Sequence, residues 1–513
     1  MRTMEFEEEQ AEGEGAQTEP GSAGTADSTS TIEGTGTARP SGRRLSRRWI
    51  AGGAVVAVIA AGLALGGEIE DRRAADRLVA APGGLSPWFA EPPQELWSLD
   101  TPGGRLVSGG AAGLVLLDRE TVSRVDLGTG DLEWSREVGT DLECGTDVGW
   151  RAAVDQDDPL VCLSGTDDRE VTVLDGDGNA LGELPLDDFL STGADVAPGP
   201  AGSVVLAERV GEPSDAAPET TVSVQTTNSS EDVVVPVGRG VQVSVVDATT
   251  GAVRWEHEVD FVLPGDAVGD CVARFSDEEG VESHTVDVES LTVRYAGGVV
   301  QVSGCGVRSL FSADGVQLQA PGDASIGVVP VTSGGFVSIA GDVETTNALD
   351  DDGTVRWESP GRYLYPGSTD GSALEVSLLS SDGRLVAVDP RDGRQLWTAD
   401  IPAEQVLVQA GEQVVVTSYL YRWALDPTTG QTLWETEAGY GDRFSAGSFT
   451  DGSRLIEVTM RGDQSTDGTR LTAHELRTGQ EAWVVDGLSD LGWFAAIDGA
   501  LLQVGEGTVT RWG

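Results

Sequence analysis

The chain has no lysine. All 33 basic residues are arginine, set against 85 Asp and Glu, for a formal net charge of −52 over 513 residues. So few cations exclude general nucleic-acid binding, which uses basic side chains to displace counterions from phosphates. The same charge keeps a secreted domain soluble and repels anionic surfaces. Histidine is nearly absent, at 3 (His257, His284, His474), which argues against His-based catalysis and a His-rich metal site. Cysteine is scarce, at 4, and no pair has the Cys-x2-Cys spacing of a zinc site. No Gly-rich phosphate loop opens a helix, and no motif pairs a Ser nucleophile with a base. An all-Arg basic set with rich Gly, Ala and Val is the composition of a GC-rich bacterial genome.

Residues 1–48 carry almost no apolar side chains, and up to residue 42 hold nine acidic against two basic residues. Such a segment cannot bury enough surface to offset its ordering entropy, so a disordered acidic tail is expected. The tail ends in Arg43, Arg44, Arg47 and Arg48, and residues 49–67 then run without a charge. At 1.5 Å per residue that run spans about 28 Å, the thickness of a bilayer's hydrocarbon. The pattern predicts a transmembrane helix, with Trp49 at the interface and the Arg cluster and N-terminus inside. A cleaved signal is the competitor: Ser46-Arg47-Arg48-Trp49-Ile50 resembles a twin-arginine export motif, and Ala64-Leu65-Gly66 is a tolerable cleavage site. The length of the apolar run and of the tail before it favours an uncleaved anchor. Both readings place the C-terminal part outside the cytoplasm. Residues 68–95 read as a juxtamembrane segment, helical from Glu68 to Leu78, with a Pro/Gly-rich linker from Ala81 to Pro93.

From Leu96 onward, short Val/Leu-rich runs alternate with Gly, Asp and Thr-Gly turns, an all-β pattern with no convincing amphipathic helix. Within it an apolar-Asp, Thr-Gly, x3, Trp unit repeats. It appears as Asp126, Gly130 and Trp134, as Asp247, Gly251 and Trp255, and as Asp350, Gly353 and Trp357. It continues as Asp389, Gly393 and Trp397, as Asp426, Gly430 and Trp434, and as Glu475, Gly479 and Trp483. In all six copies Gly and Trp are four apart, and the closest Trp pairs, 357 to 397 and 397 to 434, are 40 and 37 residues apart. Asp can accept hydrogen bonds from the turn backbone, Gly supplies the positive φ, and Trp can fill the gap between neighbouring sheets. Two further copies, at Asp175 to Gly178 and Ser312 to Gly315, lack the Trp.

This repeat resembles that of the PQQ-like (quinoprotein-type) β-propellers, over roughly residues 96–513. The resemblance implies a ring of four-stranded blades, mostly eight or seven in known members. Candidate Trp-type strands number nine, and eight blades are expected, with one diverged copy as decoration in 190–245 or 260–305, where the spacing stretches. Leu96-Trp97-Ser98-Leu99 and the C-terminal Trp493–Trp512 should complete one blade together and so remove an exposed edge. A sandwich or barrel does not need the Gly-x3-Trp period.

Four cysteines allow three pairings. An oxidising compartment favours the local ones, Cys144–Cys162 and Cys271–Cys305, each within one repeat unit. Asp175-Gly176-Asp177-Gly178-Asn179 starts like a calcium loop, but Ala180 stands where Gly is needed and the closing Glu is missing. Asp157-Asp158, Asp277-Glu278-Glu279 and Asp350-Asp351-Asp352 read as solvated loop tips, with weak calcium binding the alternative, and Arg461-Gly462-Asp463 as a hairpin turn, with an adhesion tripeptide the alternative.

No catalytic, cofactor-binding or metal-ligating residue is assigned. The resemblance implies, for its enzymatic members, adjacent cysteines beneath a quinone, a catalytic Asp, and calcium held by Glu, Asn and Asp. This chain has no adjacent cysteines and no motif onto which those acids map, and Arg254, Arg356, Arg394 and Arg422 near the repeats are not diagnostic. The expected protein is a membrane-anchored, extracytoplasmic interaction or scaffold module without cofactor, with a protein or cell-envelope partner and no nucleic acid. A PQQ-dependent dehydrogenase and a transmembrane sensor acting through the tail are the alternatives.

Overall fold

The alternating Val and Leu runs fold, among the described residues, as 41 short strands in a computed structural model of the chain. The structure describes residues 72–513 apart from 87–88, 102–103, 111–112, 146–158, 166–168, 187–193, 214–219, 226–229, 263–269, 277–281, 320–324, 332–333, 341–344, 373–375, 439–444, 461–467, 489–491 and 506. The tail 1–48 and apolar segment 49–67 lie outside the described residues, as do Asp157-Asp158, Asp277-Glu278-Glu279 and Arg461-Gly462-Asp463. Among the described residues no helix is long and apolar enough to cross a membrane.

The strands form nine antiparallel four-stranded sheets, one of them extended by a fifth, parallel strand. They span residues 105–137, 143–185, 195–259, 291–319, 325–360, 362–399, 405–437, 445–488 and 493–512, the last with Glu95–Asp100 added, and are numbered blades 1 to 9. The ring therefore has nine blades rather than the expected eight. No repeat copy is decoration. The stretched spacings instead hold added two-stranded hairpins, Thr220–Gln225 with Ser230–Val235 inside blade 3, and Val272–Ser276 with Glu282–Val286 between blades 3 and 4.

Nine apolar clusters sit one at each interface between successive blades, including that between blade 9 and blade 1. A ring of sheets buries both faces of every blade this way, so its strands read as dense apolar runs. Closure is by two segments distant in sequence: Glu95–Asp100 pairs antiparallel with Thr508–Trp512. Every blade carries a β-bulge in its last strand, one residue before the Trp position. A bulge adds local twist and re-aims the following side chain, here towards the next blade.

Residues 72–80 form a helix, and the segment after it, where composition reads as a linker, lies against the ring. Leu85 N donates to Thr450 O (2.7 Å), Ser86 N to Gly499 O (2.7 Å), and Thr369 N to Pro82 O (2.9 Å). This strap thus touches blades 8, 9 and 6, and carries Leu85 and Phe89 into the cluster between blades 8 and 9. Glycine permits the approach, since a Cβ on Gly83 would stand 2.5 Å from the Ser368 Cβ of blade 6. The inner strand of blade 6 splits: Arg362–Tyr363 pairs within its own blade, while Pro366–Thr369 runs parallel to Gln405–Ala410 of blade 7.

Candidate interaction site

Each repeat residue has a position that its role explains. The turn carboxylates accept backbone N–H groups: Asp126 from Thr129 (2.7 Å), Asp247 from Thr250 (2.9 Å), Asp389 from Arg391 (3.0 Å), and Asp426 from Thr428 and Thr429 (both 2.8 Å). Backbone and side-chain hydrogen bonds from Thr129 hold Asp126 below the usual carboxylate range. Asp247 is held at about 2, first by the hydrogen bond from Arg254 and then by those from Thr250. Gly130, Gly251, Gly353, Gly393, Gly430 and Gly479 all have φ between +68° and +77°.

The Trp residues act across blades, not within their own copy. Trp97 stacks on Gly130, Trp134 on Gly178, Trp255 on Gly315, Trp357 on Gly393, Trp397 on Gly430 and Trp434 on Gly479. Each indole N–H donates to the carbonyl of the residue after the first turn residue of the next blade, an acid in five copies and Ser312 in the sixth: Leu127, Gly176, Ala313, Pro390, Pro427 and Leu476, at 2.6–3.1 Å. Trp483 faces blade 9, which has no such turn because its last two strands, Thr508–Trp512 and Glu95–Asp100, are not consecutive in sequence. Its indole donates instead to Phe89 O of the strap (2.9 Å). In the Trp-less copies the position falls to Gly182, filled by the Thr249 methyl, and to Gln319.

The other candidates resolve as turns and ion pairs. Asp175 accepts Asp177 N (3.0 Å) and Asn179 N (2.8 Å), a closed turn. Asp351 accepts Gly335 N (3.0 Å) and Asp352 accepts Thr354 N (3.0 Å). Arg254 pairs with Asp247 (2.8 Å), Arg356 with Asp350 (2.5 Å), and Arg394 with Asp389 (3.8 Å). Arg422 pairs with Glu457 (2.8 Å), both buried between blades 7 and 8, and His474 lies 3.4 Å from the same carboxylate. His257 bonds the Gly315 carbonyl (2.6 Å) and stacks on Phe311; His284 lies on a hairpin strand. These groups are dispersed over separate blades, and among the described residues no three His, Cys, Asp or Glu converge as metal ligands.

The cysteines pair locally, Cys144 with Cys162 and Cys271 with Cys305. The first pair joins facing residues of adjacent strands in blade 2. The second ties the inserted hairpin to blade 4. Neither supplies the adjacent cysteines that the resemblance implies for a quinone-binding member.

Strand direction sorts the connections onto two faces. The hairpins joining first and second strands lie on one face, where Arg77, Leu78 and Val79 of the helix meet Gly371, Gly452 and Gly499 of blades 6, 8 and 9. The second-to-third and blade-to-blade connections lie on the other, and both inserted hairpins belong to these connections. There Val235, Phe261, Cys271 and Cys305 form a separate small core. Arg209, 5% exposed, donates to Arg239 O (2.9 Å), Ser290 O (2.8 Å) and Cys305 O (2.8 Å), joining both hairpin bases to blade 4. Burial pushes the Arg209 pKa down. The sequence signal for this site was only the stretched repeat spacing with a Cys pair inside it.

The family model described as outer membrane protein assembly factor BamB matches residues 214–421 and 343–508. No curated protein matches the chain. Among solved structures, BamB from Moraxella catarrhalis is 14% identical, with 82% of this chain and 99% of that one covered and a TM-score of 0.38. The quinohemoprotein alcohol dehydrogenase from Comamonas testosteroni is 12% identical, with 83% and 77% covered and a TM-score of 0.37. The two family matches together span residues 214–508, more than half of the chain, and on that ground the chain belongs to the PQQ-like β-propeller family.

Proposed function

We propose that the chain is a non-enzymatic protein-interaction or scaffold module held outside the cytoplasm. In this reading residues 1–48 are a cytoplasmic acidic tail, 49–67 a single transmembrane anchor with its N-terminus inside, 68–95 the juxtamembrane segment, and 96–513 the exported propeller. The observation that carries it is the elaborated face over blades 3 and 4. Two hairpins with their own core, a disulfide and a buried Arg209 brace are added to a ring whose closure and blade packing do not need them. The matched family's description as an assembly factor supports the same reading, and two disulfides suit an oxidising compartment.

The test is site-specific photocrosslinking of the full chain on intact cells, with the probe placed in turn on each face of the ring. Adducts to a defined envelope protein are expected. Calorimetric titration of the full chain with pyrroloquinoline quinone, with and without calcium, supplies the opposing outcome. A stoichiometric, calcium-dependent heat would replace the scaffold reading with a dehydrogenase.

A further inference from the structure

We infer that the Tyr419-Leu420 turn of blade 7, with the carboxylates of Glu404, Glu435 and Glu437 beside it, is a docking surface for a basic segment of an envelope protein. The inference rests on the scaffold reading and names one contact on the face that also carries the inserted hairpins.

The turn supplies the first argument. Ser418, Tyr419 and Leu420 join the second and third strands of blade 7, Gln413–Thr417 and Tyr421–Leu425, and Ser418 N closes the turn on Tyr421 O (3.0 Å). Tight connections use Gly, Asn, Asp, Ser and Pro for backbone reasons. The same connection reads Asp118-Arg119-Glu120-Thr121 in blade 1 and Ser381-Asp382-Gly383-Arg384 in blade 6. Here its tip is an aromatic and an aliphatic side chain, Tyr419 57% and Leu420 47% exposed, and neither belongs to a cluster between blades. Two of only six tyrosines in the chain, Tyr419 and Tyr421, meet at this one turn. Large exposed side chains that the fold does not need are the anchors that fill a partner's pockets. The turn is also braced. Thr417 O accepts Glu404 N (2.9 Å), Leu420 O accepts Ala438 N (2.7 Å), and Tyr421 packs beside Trp423 on the cluster between blades 6 and 7. A braced knob loses little entropy on binding.

Charge supplies the second argument and selects the occupant. Across the ladder Glu437 stands opposite Tyr421 and Glu435 opposite Trp423. Residues paired in this way share one side of the sheet, so both carboxylates lie on the side of the Tyr421 ring. Glu404 is held beside Thr417 by its backbone bond. All three glutamates are exposed, and among the described residues none of their carboxylates has a hydrogen-bond or ion-pair partner. Arg362, the cation that reaches this edge, donates to the Glu404 backbone carbonyl (3.3 Å). Carboxylates set beside tyrosine rings suit Arg or Lys, whose stem or guanidinium lies on a ring while its charge meets the acids. The same acids repel an anionic surface and a second copy of this chain, whose net charge is −52. The helix 72–80 and the strap occupy the opposite face, so they do not cover this turn.

The experiment places a photocrosslinking residue at Leu420 in the full chain, with the exposed Leu132 of blade 1 and Val355 of blade 5 as comparison sites. Adducts are mapped to the residue on intact cells. The expected result is an adduct at Leu420 to one protein segment with net positive charge. A synthetic peptide of that segment should bind the solubilised full chain, and more weakly as salt rises. Its affinity should fall about tenfold with Glu404→Gln, Glu435→Gln and Glu437→Gln combined, and about tenfold with Tyr419→Ser and Leu420→Ser combined. A similar loss is expected when citrulline replaces its Arg and acetyl-lysine its Lys. Adducts at Leu132 or Val355 with none at Leu420 would overturn this site while leaving the scaffold reading. So would a Leu420 adduct to an acidic segment, a glycan or a second copy of this chain, or a peptide whose affinity either variant leaves unchanged. Absence of adducts at all three positions would remove both readings.

Discussion

Trp397 shows what a single repeat residue does. Its ring is 7% exposed, lies on Gly430 of the next blade, and donates to Pro427 O at 2.7 Å. Trp397→Ala should cost about 3–5 kcal/mol in chemical denaturation, the range for emptying a large aromatic site. Gly430→Ala attacks the same contact from the other side. The backbone there has φ +69°, and a Cβ would stand 2.5 Å from Trp397 Cε3. Left-handed strain of about 1–2 kcal/mol and overpacking of about 1–3 kcal/mol should add. Combining the two substitutions removes the clash, so the double variant should lose less than the sum of the singles; strict additivity would show that the two residues do not meet. The sequence shows Gly and Trp four apart in one copy, yet the partners are 33 residues apart, Trp397 to Gly430, because the motif interlocks neighbours. Asp247 makes a second residue-scale prediction. Held at about 2 by Arg254 and Thr250 against an ordinary 3.8, it contributes stability above pH 4 that is lost as pH falls through 2. Asp247→Asn should therefore lower the melting temperature at pH 7, and the gap from the parent should close by pH 2. A gap constant with pH would mean that the charge opposite Arg254 does nothing.

At the scale of elements, turns and strands were legible, because Asp and Thr-Gly punctuation follows from local backbone chemistry. The added hairpins were not. Thr and Val alternation in residues 220–235 is as strand-like as any blade, and only the interrupted count betrays it. The nine units were countable in the sequence; the expectation of eight came from the resemblance and from reading the stretched spacing as a diverged copy, whereas the Asp175 and Ser312 copies, with Gly182 and Gln319 at the Trp position, each form a full blade. The two disulfides differ in what they hold, Cys144–Cys162 within blade 2 and Cys271–Cys305 between a hairpin and blade 4. Reducing both should lower the melting temperature, each bond contributing about 2–4 kcal/mol. Cys271→Ala with Cys305→Ala should speed amide exchange in 260–290 and leave residues 405–437 protected. Uniform loss of protection would mean that the second bond supports the ring itself.

For the whole molecule, the decisive feature is how the ring closes. Leu96-Trp97 and the C-terminal strands were expected to share a blade, and Glu95–Asp100 does pair with Thr508–Trp512. The strap was not expected, because Pro and Gly between Ala81 and Pro93 look like a flexible linker. They serve close approach instead, and the strap repairs the one place where the repeat cannot close by repetition. Blade 9 joins two segments distant in sequence where every other blade has a turn, with Gln94 and Gly513 exchanging backbone hydrogen bonds (2.9 and 3.0 Å). Trp483 therefore takes its acceptor from Phe89 O, and Leu85, fully buried, fills the gap beside Phe449 and Phe494. Leu85→Ala should cost about 2–5 kcal/mol, as a buried Leu does. Because the strap also bonds Thr450 and Gly499, the loss should loosen blades 8 and 9 together. Faster amide exchange is expected across residues 445–512 and not in blades 3 to 5. Exchange unchanged in 445–512, with only residues 72–94 released, would show that the ring closes without its strap.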